Sequence, residues 1–412
     1  MFSAIFRKEY RLLIVAALLC YCTLLFFITK EAFWYDAICW EKWGTLIQKH
    51  GLAAVYDKDL SDVNYMPMYL YVLKVWTWLC GEQANLGATV HYLKAVPLFF
   101  EVLSVTLLAS MVRNAEHRLF WLIAGVMNIG MLYNTMFWHQ VDGILAFFLL
   151  LSFVFAMRGN DILSVIIFVI AFNFKIQAVM LLPLLGLMWL QRITIKRLGI
   201  LVFSALGVQF LIILPFIIYG NARNIPDIVF NSYNHYEEVS KNAHNIWYLV
   251  LNESPVSVSD KNTFLGMSYH AYGLGLYIAA VLMLIAPLIL ILRKKRHYFK
   301  AEQHTKFFVI TAALLPYVFF YFNTQMHERY IHCAMIFILW LAMAFGHFRF
   351  YIFFTLVYFL SLDKLLRDFG LLNHWSWLYN EKLSAACFTS GLIYLSYLWF
   401  RELRKVKRQI SY

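Results

Sequence analysis

The chain has 412 residues and a net charge of +12; 62% of its residues are hydrophobic, 18% aromatic and only 14% charged. Apolar runs of roughly 16 to 24 residues recur from end to end, and about 20 suffice for a helix to cross a hydrocarbon core of about 30 Å, so a soluble globular domain is excluded and a polytopic membrane protein is expected. The positive charge does not mark a nucleic-acid binder. Its basic residues sit in separate short loops, among them Arg192, Lys196 and Arg197, then Arg293 to Arg296, then Arg401 to Arg408, a pattern that orients a membrane chain.

The first apolar run, Leu12 to Ile28, has no small-residue cleavage site after it and reads as a retained anchor with the start of the chain cytoplasmic. Further crossings are expected near residues 91–112, 119–137, 141–157, 161–175, 178–190, 197–219, 272–292, 307–322, 330–345, 349–362 and 384–400. The segment 66–80 is apolar but short, starts at a proline and carries Lys74, so it reads as a partial or re-entrant helix. The fold class is therefore an all-α transmembrane bundle of about 12 to 13 helices, one domain over residues 1–412, with both termini cytoplasmic. By the same parity the loops 30–65, 138–142, 172–177, 220–270 and 323–329, with a stretch near 363–382, all fall on the outer side. Of the six cysteines only Cys39 lies in a loop, and neither a disulfide framework nor a metal spacing emerges.

Those outer loops hold the unusual polar residues. Asp36, Trp40, Trp43 and Ile47 follow helical spacing onto one face. An interfacial anchor with tryptophans at headgroup level explains the rings but not the carboxylate, which suits a general base. In Trp138-His139-Gln140-Val141-Asp142, the aspartate reads equally as a helix cap or as a binding group. Lys175 stands where two short apolar helices meet and either snorkels or binds an anion such as phosphate. His327, Glu328 and Arg329 offer an imidazole, a carboxylate and a planar guanidinium fork suited to phosphate oxygens; a plain Glu328–Arg329 pair is the alternative. Lys94 and Glu101 read as a packing pair between helices. A Walker-type loop, a Gly-x-Ser-x-Gly elbow and a His-rich metal spacing are all missing.

Taken in order, Asp36 with Trp43, Tyr65-Met66-Pro67-Met68-Tyr69-Leu70-Tyr71, Trp138 to Asp142, Lys175-Ile176-Gln177, Asn242 to Trp247 and Met326 to Tyr330 resemble the bacterial membrane mannosyltransferases related to GPI mannosyltransferase II. More distantly, they are similar to the glucosyltransferases that complete lipid-linked N-glycan precursors, all of the GT-C type. The resemblance covers residues 11 to about 345, leaving the helices of 346–412 outside it. It departs at Met66, His139, Ile176 and Glu101, where relatives tend to carry Pro, Gly, Pro and Asp.

The resemblance implies a hexose, mannose by default, donated by a polyprenyl phosphate to the hydroxyl of a glycolipid or glycan on the outer face of a bacterial inner membrane. Asp36 would be the base; Lys175, His327 and Arg329 would hold the donor phosphate; His139, Gln140, Asp142, Asn245, Trp247 and Glu328 would contact sugar or acceptor. Neither a cofactor nor a metal is expected, and nucleic acid is not a partner. A flippase for lipid-linked glycans and a polysaccharide polymerase are the competing classes.

Overall fold

The computed structural model describes residues 8–30, 33–61, 63–81, 85–112, 114–191, 194–231, 236–295, 304–366 and 375–411. The first seven residues, Arg192, Arg296 and residues 367–374 of the expected outer stretch lie outside the described residues.

The protein is an all-α polytopic bundle. Its principal helices are α1 (Lys8–Phe26), α2 (Trp34–His50), α3 (Pro67–Cys80), α4 (Ala95–Ser110), α5 (Ala115–Val126), α6 (Ile129–Met136), α7 (Asp142–Met157), α8 (Asp161–Phe174), α9 (Leu182–Leu190), α10 (Ile195–Ile218), α11 (Tyr269–Lys295), α12 (Thr305–Phe322), α13 (His332–Phe345), α14 (Phe348–Leu366) and α15 (Glu381–Ser411). A helix stands at each expected crossing. Among the described residues six are long and apolar enough to span a membrane, or seven if α5 and α6, bent by 44° at their break, form one span.

The bend has a side-chain cause. Asn128 fills the break, caps α6 by accepting from the Met131 amide, and donates to Tyr351 and Thr355 on α14 at 2.7 and 2.8 Å. One backbone amide freed by the interruption, that of Met131, is thus satisfied inside protein, as an apolar medium favours. α3 is 14 residues long, begins at Pro67 and ends at Gly81 with φ +90°. At about 1.5 Å per residue it reaches roughly 21 Å, short of a hydrocarbon core.

The core lies between α4, α7, α12, α13, α14 and α15, where α12 and α13 are buried almost throughout. A second core joins α2 to α3: Trp40, Trp43 and Ile47 pack with Tyr69, Leu73 and Trp76. The aromatic face of α2 is therefore turned onto protein and not spread on a bilayer surface, because the rings of α3 offer it denser contacts than headgroups do.

Two minimal two-stranded sheets close the loops. β1 (Ser240–Lys241) pairs in parallel with β4 (Met326–His327), while β2 (Thr263–Phe264) and β3 (Met267–Ser268) form a hairpin.

Candidate functional site

A cavity of about 860 Å³ opens where the loops at one end of the bundle meet. Its walls come from α2, residues 55–61 and 63–66, Trp138, the α8 terminus, residues 224–229, 236–242 and 270–277, and residues 319–330. Asp36, Lys175, His327, Glu328 and Arg329 all line it.

Asp36 occupies the first turn of α2, half-buried. The Phe33 amide donates to the Phe137 carbonyl at 3.2 Å, which fastens the start of α2 to the turn after α6. From that turn the Gln140 amide donates to Asp36 Oδ2 at 2.5 Å and to the Trp138 carbonyl at 3.2 Å. One carboxylate oxygen is thus held while the residue still faces the cavity.

The break between α8 and the 3-10 turn Ile176–Leu181 leaves Lys175 in an extended conformation. Its ammonium pairs with Asp142 Oδ1 at 2.6 Å, the two side chains being 8% and 4% exposed, and lies 5.8 Å from the centre of the Tyr65 ring. Asp142 opens α7, so it also meets the positive end of a helix. The helix-cap and binding readings merge here: Asp142 anchors Lys175. The next residue, Gly143, lets α4 approach, since a Cβ there would meet Glu101 Cγ at 2.6 Å.

The third wall is set by backbone pairing. Lys241 stands opposite His327 in the β1–β4 ladder. Just after it, Arg329 reaches Glu328 at 3.2 Å and His327 Nδ1 at 3.2 Å, with its guanidinium over the rings of Trp138 and Tyr330 at 5.8 and 5.7 Å. Asp36, Glu328 and Asp142 are the carboxylates whose fields reach it. Burial, reinforced by the Asp36 carboxylate, pushes the Tyr65 phenol well above its ordinary value, so this cavity ring stays protonated. Two non-glycine residues of the wall, Asn242 and Gln325, have positive φ, +62° and +61°. Such backbone is costly and persists where neighbours over-determine it.

Five expected contacts stand elsewhere: Asp142, engaged with Lys175, does not line the cavity, and neither do His139, Gln140, Asn245 and Trp247. His139 and Gln140 are buried behind the cavity wall, His139 with φ +57° and an imidazole that burial pushes down to about 3. Asn245 donates to the Phe320 and Asn323 carbonyls, and the Trp247 indole donates to the Phe322 and Asn323 carbonyls. These two side chains close the C-terminal end of α12, whose last carbonyls have no helical partners, and they do not line the cavity. Lys94 and Glu101 do not face each other either: Lys94 donates to Thr29, and Glu101 accepts from Thr135 at 2.5 Å with His332 at 3.5 Å.

Sequence reasoning missed the Asp260 cluster. Its Oδ2 accepts from Gln325 Nε2 at 2.8 Å and Thr324 Oγ1 at 3.0 Å and lies 2.8 Å from His270 Nδ1. Through Gln325 it supports the turn that delivers His327 and Arg329. Lys58 and Asp227, an exposed ion pair across the cavity mouth, were missed as well. Neither group carried a local spacing signal. Among the described residues no set of three or more His, Cys, Asp or Glu side chains stands where it could hold a metal ion. No protein-family model and no curated protein matches this chain.

Proposed function

We propose that the protein is a GT-C-type hexosyltransferase of a bacterial inner membrane, with its cavity on the outer face and both termini in the cytoplasm. It transfers a sugar, mannose by default, from a polyprenyl phosphate to an acceptor hydroxyl. The observation that carries this reading is the meeting of Asp36, Lys175 and Arg329 on one cavity although they are far apart in sequence. The motif resemblance supplies the donor class.

The chemistry follows from that arrangement. Asp36 accepts the acceptor's hydroxyl proton as the new bond to the anomeric carbon forms. The bond from that carbon to the phosphate oxygen breaks, and its electron pair leaves on polyprenyl phosphate. Lys175, His327 and Arg329 stabilise the departing phosphate; preorganised charge of this kind is commonly the largest single catalytic term. A single displacement with no enzyme nucleophile inverts the anomeric centre, by analogy with the two-face logic of glycosidases. Glu328 holds Arg329 in place, and Asp142 does the same for Lys175.

The test is transfer of radiolabelled sugar from polyprenyl-phosphate-mannose and polyprenyl-phosphate-glucose by the purified protein in liposomes with membrane lipid extract. Asp36→Asn keeps the shape and the Gln140 neighbour and should lower turnover by about 10²- to 10⁴-fold. Equal turnover in the variant removes Asp36 as base. Movement of labelled glycolipid across the bilayer with no donor consumed would make the protein a flippase instead.

A further inference from the structure

The loop before α11 ends in an exposed apolar hairpin that the mechanism above leaves unused. β2 and β3 pair Phe264 with Met267, so Leu265 and Gly266 form a two-residue turn. Phe264, Leu265 and Met267 are 56%, 83% and 48% exposed, and residues 263–268 carry no charge. Three large apolar side chains together on one exposed tip mark a contact surface.

The turn is built at a cost. Both of its residues have positive φ, +48° at Leu265 and +83° at Gly266, the backbone of a tight hairpin in which Asn-Gly or Asp-Gly is the favourable pair. Leucine lacks the short polar side chain that eases this conformation, so the backbone gains nothing from it. Its apolar surface is what the position retains.

α11 indicates what covers that surface. Ser268 caps the helix, its Oγ accepting from the Ala271 amide at 3.1 Å, so the hairpin runs without a linker into the span Tyr269–Ile291. It also folds back along the helix: the Tyr272 hydroxyl donates to the Phe264 carbonyl at 3.0 Å. Tyr272 shares a helical face with Leu276, Met283 and Leu290, and those three are 41%, 51% and 58% exposed. The lipid-facing stripe of the span is therefore continuous with the hairpin tip. At the hairpin's root, Lys261 pairs with Glu237 at 2.8 Å and marks the end that faces water.

We infer that the β2–β3 hairpin is a membrane anchor whose tip, Phe264, Leu265 and Met267, inserts into the lipid leaflet at the cavity end of the bundle. The tip enters the acyl-chain boundary while Lys261 and Glu237 stay among the headgroups, the arrangement of an interfacial element. His270, two residues beyond the hairpin, lines the cavity, so the anchor sets the height of the cavity mouth against the headgroups. This needs only that the bundle spans a membrane, and it stands or falls apart from the transferase.

The experiment reconstitutes the purified protein in phosphatidylcholine–phosphatidylglycerol liposomes containing a phospholipid with a diazirine in its acyl chain. After photolysis, lipid adducts are mapped by mass spectrometry for wild type and Leu265→Asn. Adducts are expected at Phe264, Leu265 and Met267, as at the exposed Phe203 of α10, and not at Leu60, an exposed apolar residue among Asp57, Lys58 and Asp59. Leu265→Asn supplies the favoured turn pair, so the hairpin persists. Adducts at Phe264 and Met267 should nonetheless fall by roughly threefold or more, because the tip has lost the leucine that favours lipid over water. Labelling of residues 264–267 no stronger than at Leu60, with Phe203 labelled, overturns the insertion whatever the variant does. If the unlabelled tip is instead recovered in crosslinks between two copies of the chain, the surface belongs to a dimer. Equal labelling of wild type and Leu265→Asn overturns the anchoring role of Leu265.

Discussion

Two pairs of helices in this bundle invert the habits of soluble proteins. The spans Ile195–Ile218 and Tyr269–Ile291 have mean hydropathies of 2.5 and 2.7, yet only 17% and 28% of their 18-residue apolar stretches lie inside the protein. The spans Thr305–Phe322 and Glu328–Phe345 have mean hydropathies of 1.6 and 1.4 and are 78% and 83% buried. In a bilayer, lipid is as apolar as leucine, so hydrophobicity does not drive helices together, and packing and polar contacts do. The most apolar helices can thus face lipid, while the less apolar ones gather inward and bring the groups that build the cavity.

That contrast breaks most visibly at the buried ion pair. Asp142→Leu leaves the Lys175 ammonium buried without its carboxylate and should cost about 3–5 kcal/mol, read by unfolding in detergent. Asp142→Leu combined with Lys175→Met should recover most of the stability but not the proposed transfer activity. A double variant as unstable as the single one would mean that the pair is tied into a wider network. Close packing in the interior is tested by Gly143→Ala, whose methyl would collide with Glu101. A loss of about 1–3 kcal/mol is expected, and a neutral result would show that α4 and α7 separate easily.

Smaller effects sharpen the comparison. Burial first, and then Lys364, holds the His244 imidazole down to about 3 against an ordinary 6.5, beside the Ser384 hydroxyl at 3.0 Å. Above about pH 6.5 folded and unfolded chains are both neutral there and the stabilisation is complete. As pH falls from 6.5 toward 3 only the unfolded chain takes up the proton, so stability declines. Unfolding measured at pH 7 and pH 4.5 should show this decline in wild type and a shallower one in His244→Gln. On the lipid-facing side, Phe203→Leu, at a residue 79% exposed, should change stability by no more than ~0.5 kcal/mol. A larger loss would point to a partner covering α10.

The sequence disclosed the periodic and the local. Helical spacing grouped Asp36, Trp40, Trp43 and Ile47, and three of these four became the buried face of α2. The run from His327 to Arg329 announced itself because ionisable groups between apolar segments are costly. What stayed hidden depends on pairing across long stretches of chain. Asp260 acquires meaning only once Gln325 and His270 reach it, and Lys58 only once Asp227 does. Asn245 and Trp247 sit in a motif-like run, so they were expected at the ligand, yet their donors face the carbonyls at the end of α12. Nothing in a local window distinguishes a side chain aimed at a ligand from one aimed at a helix terminus.

The pairing of β1 with β4 also has a consequence for how the protein is made. About 290 residues separate Asp36 from Arg329, and a ribosome adding about 5–20 residues per second takes on the order of 15 to 60 s to produce them. During that interval the nascent chain already carries α2 in or at the membrane, and Gln140 emerges early enough to engage Asp36. The wall bearing Arg329 cannot exist until β4 has been synthesised and has found β1. The cavity is therefore among the last features to mature, and an interrupted translation product would carry the carboxylate without the cations that complete the site.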